Sequence, residues 1–289
     1  MVWVSYGRMG IDKPSIYGAR VQPGGNVDDP EGLLLSAPFG RDPSVAWVPA
    51  MSAWVVAWEM DGETFLRVVR ADGTFDPATL VPRNLGQGRA PGVTATSNGY
   101  FVTVEATQPR AWLVQQPATP LLSVPLGPDQ LRYASPVRGA LTDAMNPTSP
   151  MAVSWVEGTT LAEARVVNVA GVLSVTALPP LVVAPTRVDL DGLAFNANGQ
   201  GRVAYRLSDG GSTAVLMQPF EQQGIRPVAL DAGATPTDNL ALVDLGDGMF
   251  AVTATQTDGQ GLGWRVSTDG GFTGLGRVAS GVSRVTVAS

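Results

Sequence analysis

Hydrophobic positions along this chain come in short bursts separated by turn residues. Between Trp54 and Phe75 an apolar run at 54–58 is followed by a polar turn around Asp61-Gly62. A second run at 65–69 follows, then Asp72-Gly73 and a third. Each burst is too short for a helix and rich in β-branched and aromatic residues, so each predicts a strand. The runs are apolar on both faces, the pattern of sheets packed between other sheets.

The same phrase recurs in degraded form along the whole chain. Its strand cores are Val4-Ser5-Tyr6, Val56-Ala57-Trp58, Val102-Thr103-Val104, Val153-Ser154-Trp155, Val203-Ala204-Tyr205 and Val252-Thr253-Ala254. A repeat of about fifty residues with about four strands per unit is what a propeller blade requires. A third strand follows each core, at 16–21, 65–69, 111–114, 162–167, 214–217 and 262–266. A turn then carries glycine at one place (Gly25, Gly73, Gly171, Gly224, Gly271), supplying the positive φ of a hairpin. Short fourth strands are expected at 32–36 and 79–82, for example, and a first strand precedes five of the cores. The N-terminal unit lacks its first strand, and 283–288 has that pattern with no unit of its own. Laid beside 2–6, the tail would close a ring and cover two open edges. The expectation is an all-β, six-bladed β-propeller forming a single domain over 1–289. Its blades are approximately 1–36 plus 282–289, 43–82, 90–126, 138–183, 188–231 and 238–281.

Composition narrows the chemistry. The 289 residues are 44% hydrophobic, with Gly 34, Pro 23 and only 15% charged residues, enough for a large core. A net charge of -6 argues against nucleic acid or an anionic membrane surface as the main partner. The lack of Cys removes disulfides and thiolate chemistry, and the lack of His removes the usual general base and the commonest zinc ligand. No apolar run reaches bilayer-spanning length. Met1 leads straight into a strand-like run, so any targeting sequence is expected upstream of this chain.

The run Ser15-Ile16-Tyr17-Gly18-Ala19-Arg20-Val21 with Gly25 and Val27 after it resembles a D-I-Y-G-A-R-V-type repeat of secreted bacterial multi-domain proteins. That resemblance implies β-propellers on exported or cell-surface proteins. It is close in the first unit, fair at 54–75 and skeletal elsewhere. Ser267-Thr268-Asp269-Gly270-Gly271-Phe272-Thr273 resembles the Asp-box of sialidase-like propellers, with Gly274 where an aromatic is usual. This second likeness implies a structural turn held by Ser267, Asp269, Gly271 and Thr273, on the face away from any active site.

The loops between second and third strands, with those entering the first strands, form the candidate ligand-binding face. They place there Arg8, Asp42, Glu59, Arg89, Glu105, Glu157, Arg206 and Asp238. Glu59 and Glu105 follow the same strand in adjacent units, so two carboxylates meet as a glycoside hydrolase or a hard cation would use them. The bland alternative is a solvated acidic rim. Arg20, Arg67, Arg165 and Arg265 are read as one repeated position of the third strand, a polar packing ladder rather than an anion-binding array. Trp3, Trp47, Trp54, Trp58, Trp112, Trp155 and Trp264 lie on predicted strands and are expected in the core. Turn aspartates (Asp28, Asp29, Asp72, Asp269) offer oxygen to Ca2+, yet their spacing matches no EF-hand loop. No cofactor, metal site or catalytic residue is assigned, and a monomeric domain is expected.

Three readings of function remain. The first is a non-catalytic extracellular or cell-surface recognition module binding a protein or glycan on its loop face. The second is a structural spacer in a larger surface protein. The third is a glycoside hydrolase or lyase using Glu59, Glu105 or Glu157.

Overall fold

The computed structural model describes residues 2–5, 14–22, 26–36, 38–96, 99–106, 110–115, 122–126, 138–141, 150–157, 159–169, 172–180, 182–183, 187–196, 198–209, 212–221, 227–231, 237–246, 248–256, 258 and 260–280. Among these, regular structure is strand, with 3-10 turns only at Pro49–Met51 and Pro77–Thr79. The strands form six antiparallel sheets, each an up-and-down meander in chain order.

Chain contacts divide the protein into two compact units, Met1–Gly127 and Pro128–Ser289. The first unit holds three sheets. Val2–Ser5, Ser15–Gly18 and Leu33–Ser36 make the first, three-stranded sheet. Arg41–Val48, Ala53–Met60, Glu63–Arg70 and Arg83–Gln87 make the second. Arg89–Thr96, Gly99–Glu105, Arg110–Gln115 and Leu122–Pro125 make the third.

The second unit repeats the plan. Its fourth sheet is Arg138–Leu141, Met151–Glu157, Thr160–Val169 and Val172–Ala177, with Val182–Val183 also paired to the long third strand. The fifth is Arg187–Phe195, Gly201–Asp209, Ser212–Pro219 and Val228–Asp231. The sixth is Thr237–Gly246, Met249–Gln256, Gln260–Ser267 and Phe272–Ser280. The tail at 283–288, on which ring closure was predicted, lies outside the described residues.

Period-two alternation decides which side chains meet. In Ala53–Met60, Val55 and Ala57 face the third sheet, in one cluster with Tyr100, Val102, Val104 and Trp112. Val56 and Trp58 point the other way, against Ile16 and Leu35 of the first sheet. Both faces are buried, as the doubly apolar runs predict. Trp58 is 0% exposed, and full burial of such a side chain stabilises by about 2–3 kcal/mol. In the second unit Tyr205 packs with Ala152 and Leu161 of the fourth sheet, while Ala204 and Met217 pack with Val252 and Trp264 of the sixth.

Turn chemistry fixes the registers. Asp61 (φ 55) and Gly62 (φ 82) both adopt positive φ, the requirement of a tight two-residue hairpin, and Met60 pairs Glu63 across it. Two predicted details are corrected. The expected strand at 79–82 is instead the end of the Pro77–Thr79 turn, capped by Asp76 Oδ1 accepting the Ala78 N–H at 2.9 Å. The fourth strand follows at Arg83–Gln87. In the last unit the positive φ falls on Gly270 (φ 91) rather than Gly271, because Gly270 N–H turns back to the Ser267 carbonyl. Gly73 (φ 87) does occupy its predicted turn, while Gly25, Gly171 and Gly224 lie outside the described residues.

Candidate functional site

The predicted loop face can be followed strand by strand. In the second sheet Arg41 stands opposite Glu59, and its Nε lies 2.6 Å from Glu59 Oε2. Glu59 is 1% exposed, and its other oxygen accepts the Gly62 N–H at 2.9 Å. Both of its oxygens are therefore committed to holding the strand end and the hairpin.

The third sheet repeats this rung, with Arg89 opposite Glu105. Each first strand carries a register shift just after its arginine, with positive φ at Asp42 (φ 49) and Ala90 (φ 42). Burial pushes the Glu105 carboxyl upward; Arg89 opposes this, and the negative charges of Asp42 and Glu59 add to it. Asp42 and Glu59 of the second sheet thus act in the same direction as burial on Glu105.

In the fifth sheet the same rung is present with its charges exchanged: buried Asp189 faces Arg206. Glu157 closes the strand Met151–Glu157 opposite Thr160, and Asp238 sits at a register shift in Thr237–Gly246. Arg8 lies outside the described residues.

The arginine ladder is corrected by the registers. Arg67 is opposite Val56, whereas Arg165 and Arg265 are opposite Ala152 and Ala251, one position further along and on the other face. Arg20 lies beyond the pairing of its strand. Each arginine has its own surroundings. Arg20 forms a two-pronged pair with Asp29 (2.8 Å on each prong) and donates to the Ala71 carbonyl of the second sheet at 2.9 Å. Arg67 donates to the Leu35 and Leu80 carbonyls, each at 2.8 Å, and lies over the Phe75 ring. Arg165 pairs with Glu221, and Arg265 is exposed.

The turn aspartates are likewise engaged locally: Asp29 by Arg20, Asp72 by the N–H and hydroxyl of Thr74, and Asp269 by its own turn. Of the tryptophans, Trp58, Trp112, Trp155 and Trp264 are buried, but Trp47 is 39% exposed against half-buried Trp54, with ring centroids 4.6 Å apart. Trp54 and Arg20 border a small apolar recess of about 30 Å³, room for roughly one water.

A larger cleft was not foreseen from sequence. It measures about 540 Å³ and lies in the second unit, at the opposite end of the fifth-sheet strands from Arg206. Its walls come from Gly199–Arg202, Met217–Glu221, Val228, Arg165 and Phe195, and from the turn residues Thr268–Gly270. Local structure fixes these groups. Asn196 Oδ1 accepts the N–H of Asn198 at 3.0 Å and of Gln200 at 2.9 Å, and Asn196 Nδ2 donates to Gln200 Oε1 at 2.9 Å. Phe195 and Phe220 meet edge to face at 5.3 Å. Gln218 is buried, and its Oε1 accepts the Tyr205 hydroxyl at 3.0 Å.

The turn at 267–271 borders this cleft. Asp269 Oδ1 accepts the Gly271 N–H at 3.1 Å, and the Ser267 hydroxyl sits between Asp269 and the Gly271 carbonyl. The Ser267 hydrogen bond, with that of the Gly271 N–H, holds the Asp269 carboxyl below its ordinary range. Thr273 is exposed and pairs with Arg265 in the strand that follows. The sequence reading sets this turn apart from any binding surface, whereas Thr268, Asp269 and Gly270 form one wall of the cleft.

Arg202 lines the same cleft and is 7% exposed. It donates to the Gly201 carbonyl at 2.9 Å and to the Thr268 carbonyl of the sixth sheet. Its one sequence signal was a cation among the apolar residues that open the strand, Gly201-Arg202-Val203-Ala204-Tyr205. Glu221, which lines the cleft, and Glu163, which accepts the Glu221 N–H, gave no periodic signal at all.

No protein-family model and no curated protein matches this chain. Solved structures do. A lectin from Burkholderia pseudomallei superimposes with a TM-score of 0.67 at 14% identity, over 96% of this chain and 84% of that one. A lectin solved in complex with alpha methyl fucoside gives 0.56 at 9% identity, over 96% and 95%. The fungal lectin of Aleuria aurantia, described as a six-bladed β-propeller with a novel fucose recognition mode, gives 0.51 at 10% identity, over 97% and 96%. The fold is that of a β-propeller. At such identities the propeller's likeness to lectins concerns its architecture alone.

Proposed function

We propose that this propeller is a non-catalytic carbohydrate-recognition module whose ligand occupies the 540 Å³ cleft of the second unit. The observation carrying this reading is a concave site with fixed hydrogen-bonding groups (Gln200, Arg202, the Arg165–Glu221 pair) beside Phe195 and Phe220. Sugars present hydroxyls for such donors and acceptors and C–H faces for such rings. The shared fold with propeller lectins supports the reading. Glu59, with both oxygens engaged, is poorly placed for acid–base chemistry, so recognition is preferred to hydrolysis.

The resemblance to exported repeat proteins supports an extracellular or cell-surface location, which the gene's upstream coding sequence and cell fractionation would test. We also take the six sheets to be blades of one ring, closed by 283–288 joining Val2–Ser5.

The function is tested on a glycan array, followed by calorimetry of any hit. Gln200→Ala, at an exposed position on the cleft, is expected to weaken binding about 5–10-fold, the loss of one or two hydrogen bonds to the ligand, while Tm falls only slightly with loss of the Asn196 contact. An array blank for both neutral and charged glycans defeats the proposal and leaves the spacer reading.

A further inference from the structure

The guanidinium of Arg202 is the feature of the cleft that its own surroundings leave incomplete. It is more than nine-tenths buried and touches two backbone carbonyls and, at 5.9 Å, the Phe250 ring. Among the described residues no carboxylate pairs with it. Two carbonyls accept two of its five N–H groups, and carbonyl dipoles do not cancel a full charge. A buried cation without a counter-ion is strongly destabilising, so folding alone gives little reason to keep one here. Arg165, the other guanidinium on this cleft, shows the contrast: Glu221 grips it with both oxygens. The remaining carboxylate on the wall, Asp269, is engaged by Ser267 and the Gly271 N–H.

We infer that the cleft selects glycans bearing an anionic oxygen group, the carboxylate of an acidic sugar or a sulfate ester, which sits on Arg202 as its missing counter-ion. This rests on the carbohydrate reading and narrows it. A planar guanidinium with three spare N–H groups suits an anion with two or three oxygens, and the buried setting strengthens the contact relative to water. The protein's net charge of -6 repels such a ligand at long range, so selectivity has to come from this local site.

The test uses the whole chain and matched pairs of glycans: glucuronate against glucose oligomers, galacturonate against galactose oligomers, sialyllactose against lactose, and sulfated against unsulfated galactose. At low salt at least one acidic member is expected to bind about tenfold or more tightly than its neutral partner, a gap that narrows as salt rises. The uronate, sialyl and sulfate arms tell which anion is preferred.

Arg202→Gln is expected to abolish the preference. Arg202 also ties the Thr268 carbonyl, so that variant could lose its fold; Glu221→Gln is the second arm. It removes a negative charge from the cleft and releases Arg165, and should shift the acidic-to-neutral affinity ratio several-fold in favour of the acidic partner. Equal affinity within every pair overturns this inference while sparing the glycan reading. So does an acidic preference that neither variant alters. Silence from every neutral and acidic probe removes both.

Discussion

Glu163 illustrates what the fold does to a single side chain. It is 1% exposed, its Oε2 accepts the Glu221 N–H at 3.1 Å, and its Oε1 has no partner among the described residues. Burial pushes its carboxyl from an ordinary value near 4.5 up to about 8; the Glu221 N–H opposes the shift and the Glu221 charge adds to it. The sign follows from linkage. The folded state holds this proton more tightly than the unfolded chain, so the stabilisation is complete below about 4.5. It is lost progressively as pH rises towards about 8. Glu163 alone can contribute a slope of at most about 1.4 kcal/mol per pH unit in that interval. Urea unfolding of the wild type and Glu163→Gln between pH 5 and pH 9 measures this: the wild type should weaken more steeply, and parallel curves would refute the assignment. Neither Glu163 nor Arg202 was legible as special from sequence. What singles them out is the depth at which tertiary packing buries them, and local composition carries no record of depth.

At the scale of the strand, backbone register is the information that patterning lacks. The β-branched and aromatic bursts located the second and third strands well, because burial of both faces imposes that composition wherever sheets stack. Sequence alignment of the arginines failed because neighbouring rungs differ by one residue, and one residue turns a side chain to the opposite face. The segment at 79–82 misled for another reason. Leu80 and Val81 read as strand, yet Pro77 starts a capped turn and leaves those two side chains 60% and 81% exposed. Close approach between sheets can be tested at Gly192, which lies at a register shift of the fifth sheet. A Cβ there would stand 2.6 Å from Leu242 Cβ and 3.1 Å from its backbone nitrogen in the sixth sheet. Gly192→Ala should cost about 1–3 kcal/mol, read as a lower midpoint in thermal or urea unfolding. A variant as stable as the parent would mean the two sheets can separate freely at that point.

For the whole molecule, the fifty-residue repeat was the most legible property of the chain, since every unit has to satisfy the same stacking geometry. The cleft was not legible, because it is assembled from strand and turn residues of three successive sheets, and such a meeting leaves no spacing signature in any one of them. The proposed closure of the ring carries its own prediction. Deleting 283–289 would strip a partner strand from Val2–Ser5 and expose two unpaired edges. Tm should fall by about 5 °C or more and self-association should rise, both visible by calorimetry and light scattering. A truncated chain that keeps its Tm and stays monodisperse would show that the ends are not joined in this way.

The exchanged polarity of one rung, Arg41 with Glu59 and Arg89 with Glu105 but Asp189 with Arg206, bears on how such a chain can evolve. Tandem modules invite unequal crossing-over, which shuffles strands between copies. A first strand copied from the second sheet into the fifth would set Arg41 against Arg206, two cations on adjoining strands. Shuffled chains of that kind would place like charges directly opposite each other, a pairing that weakens the sheet.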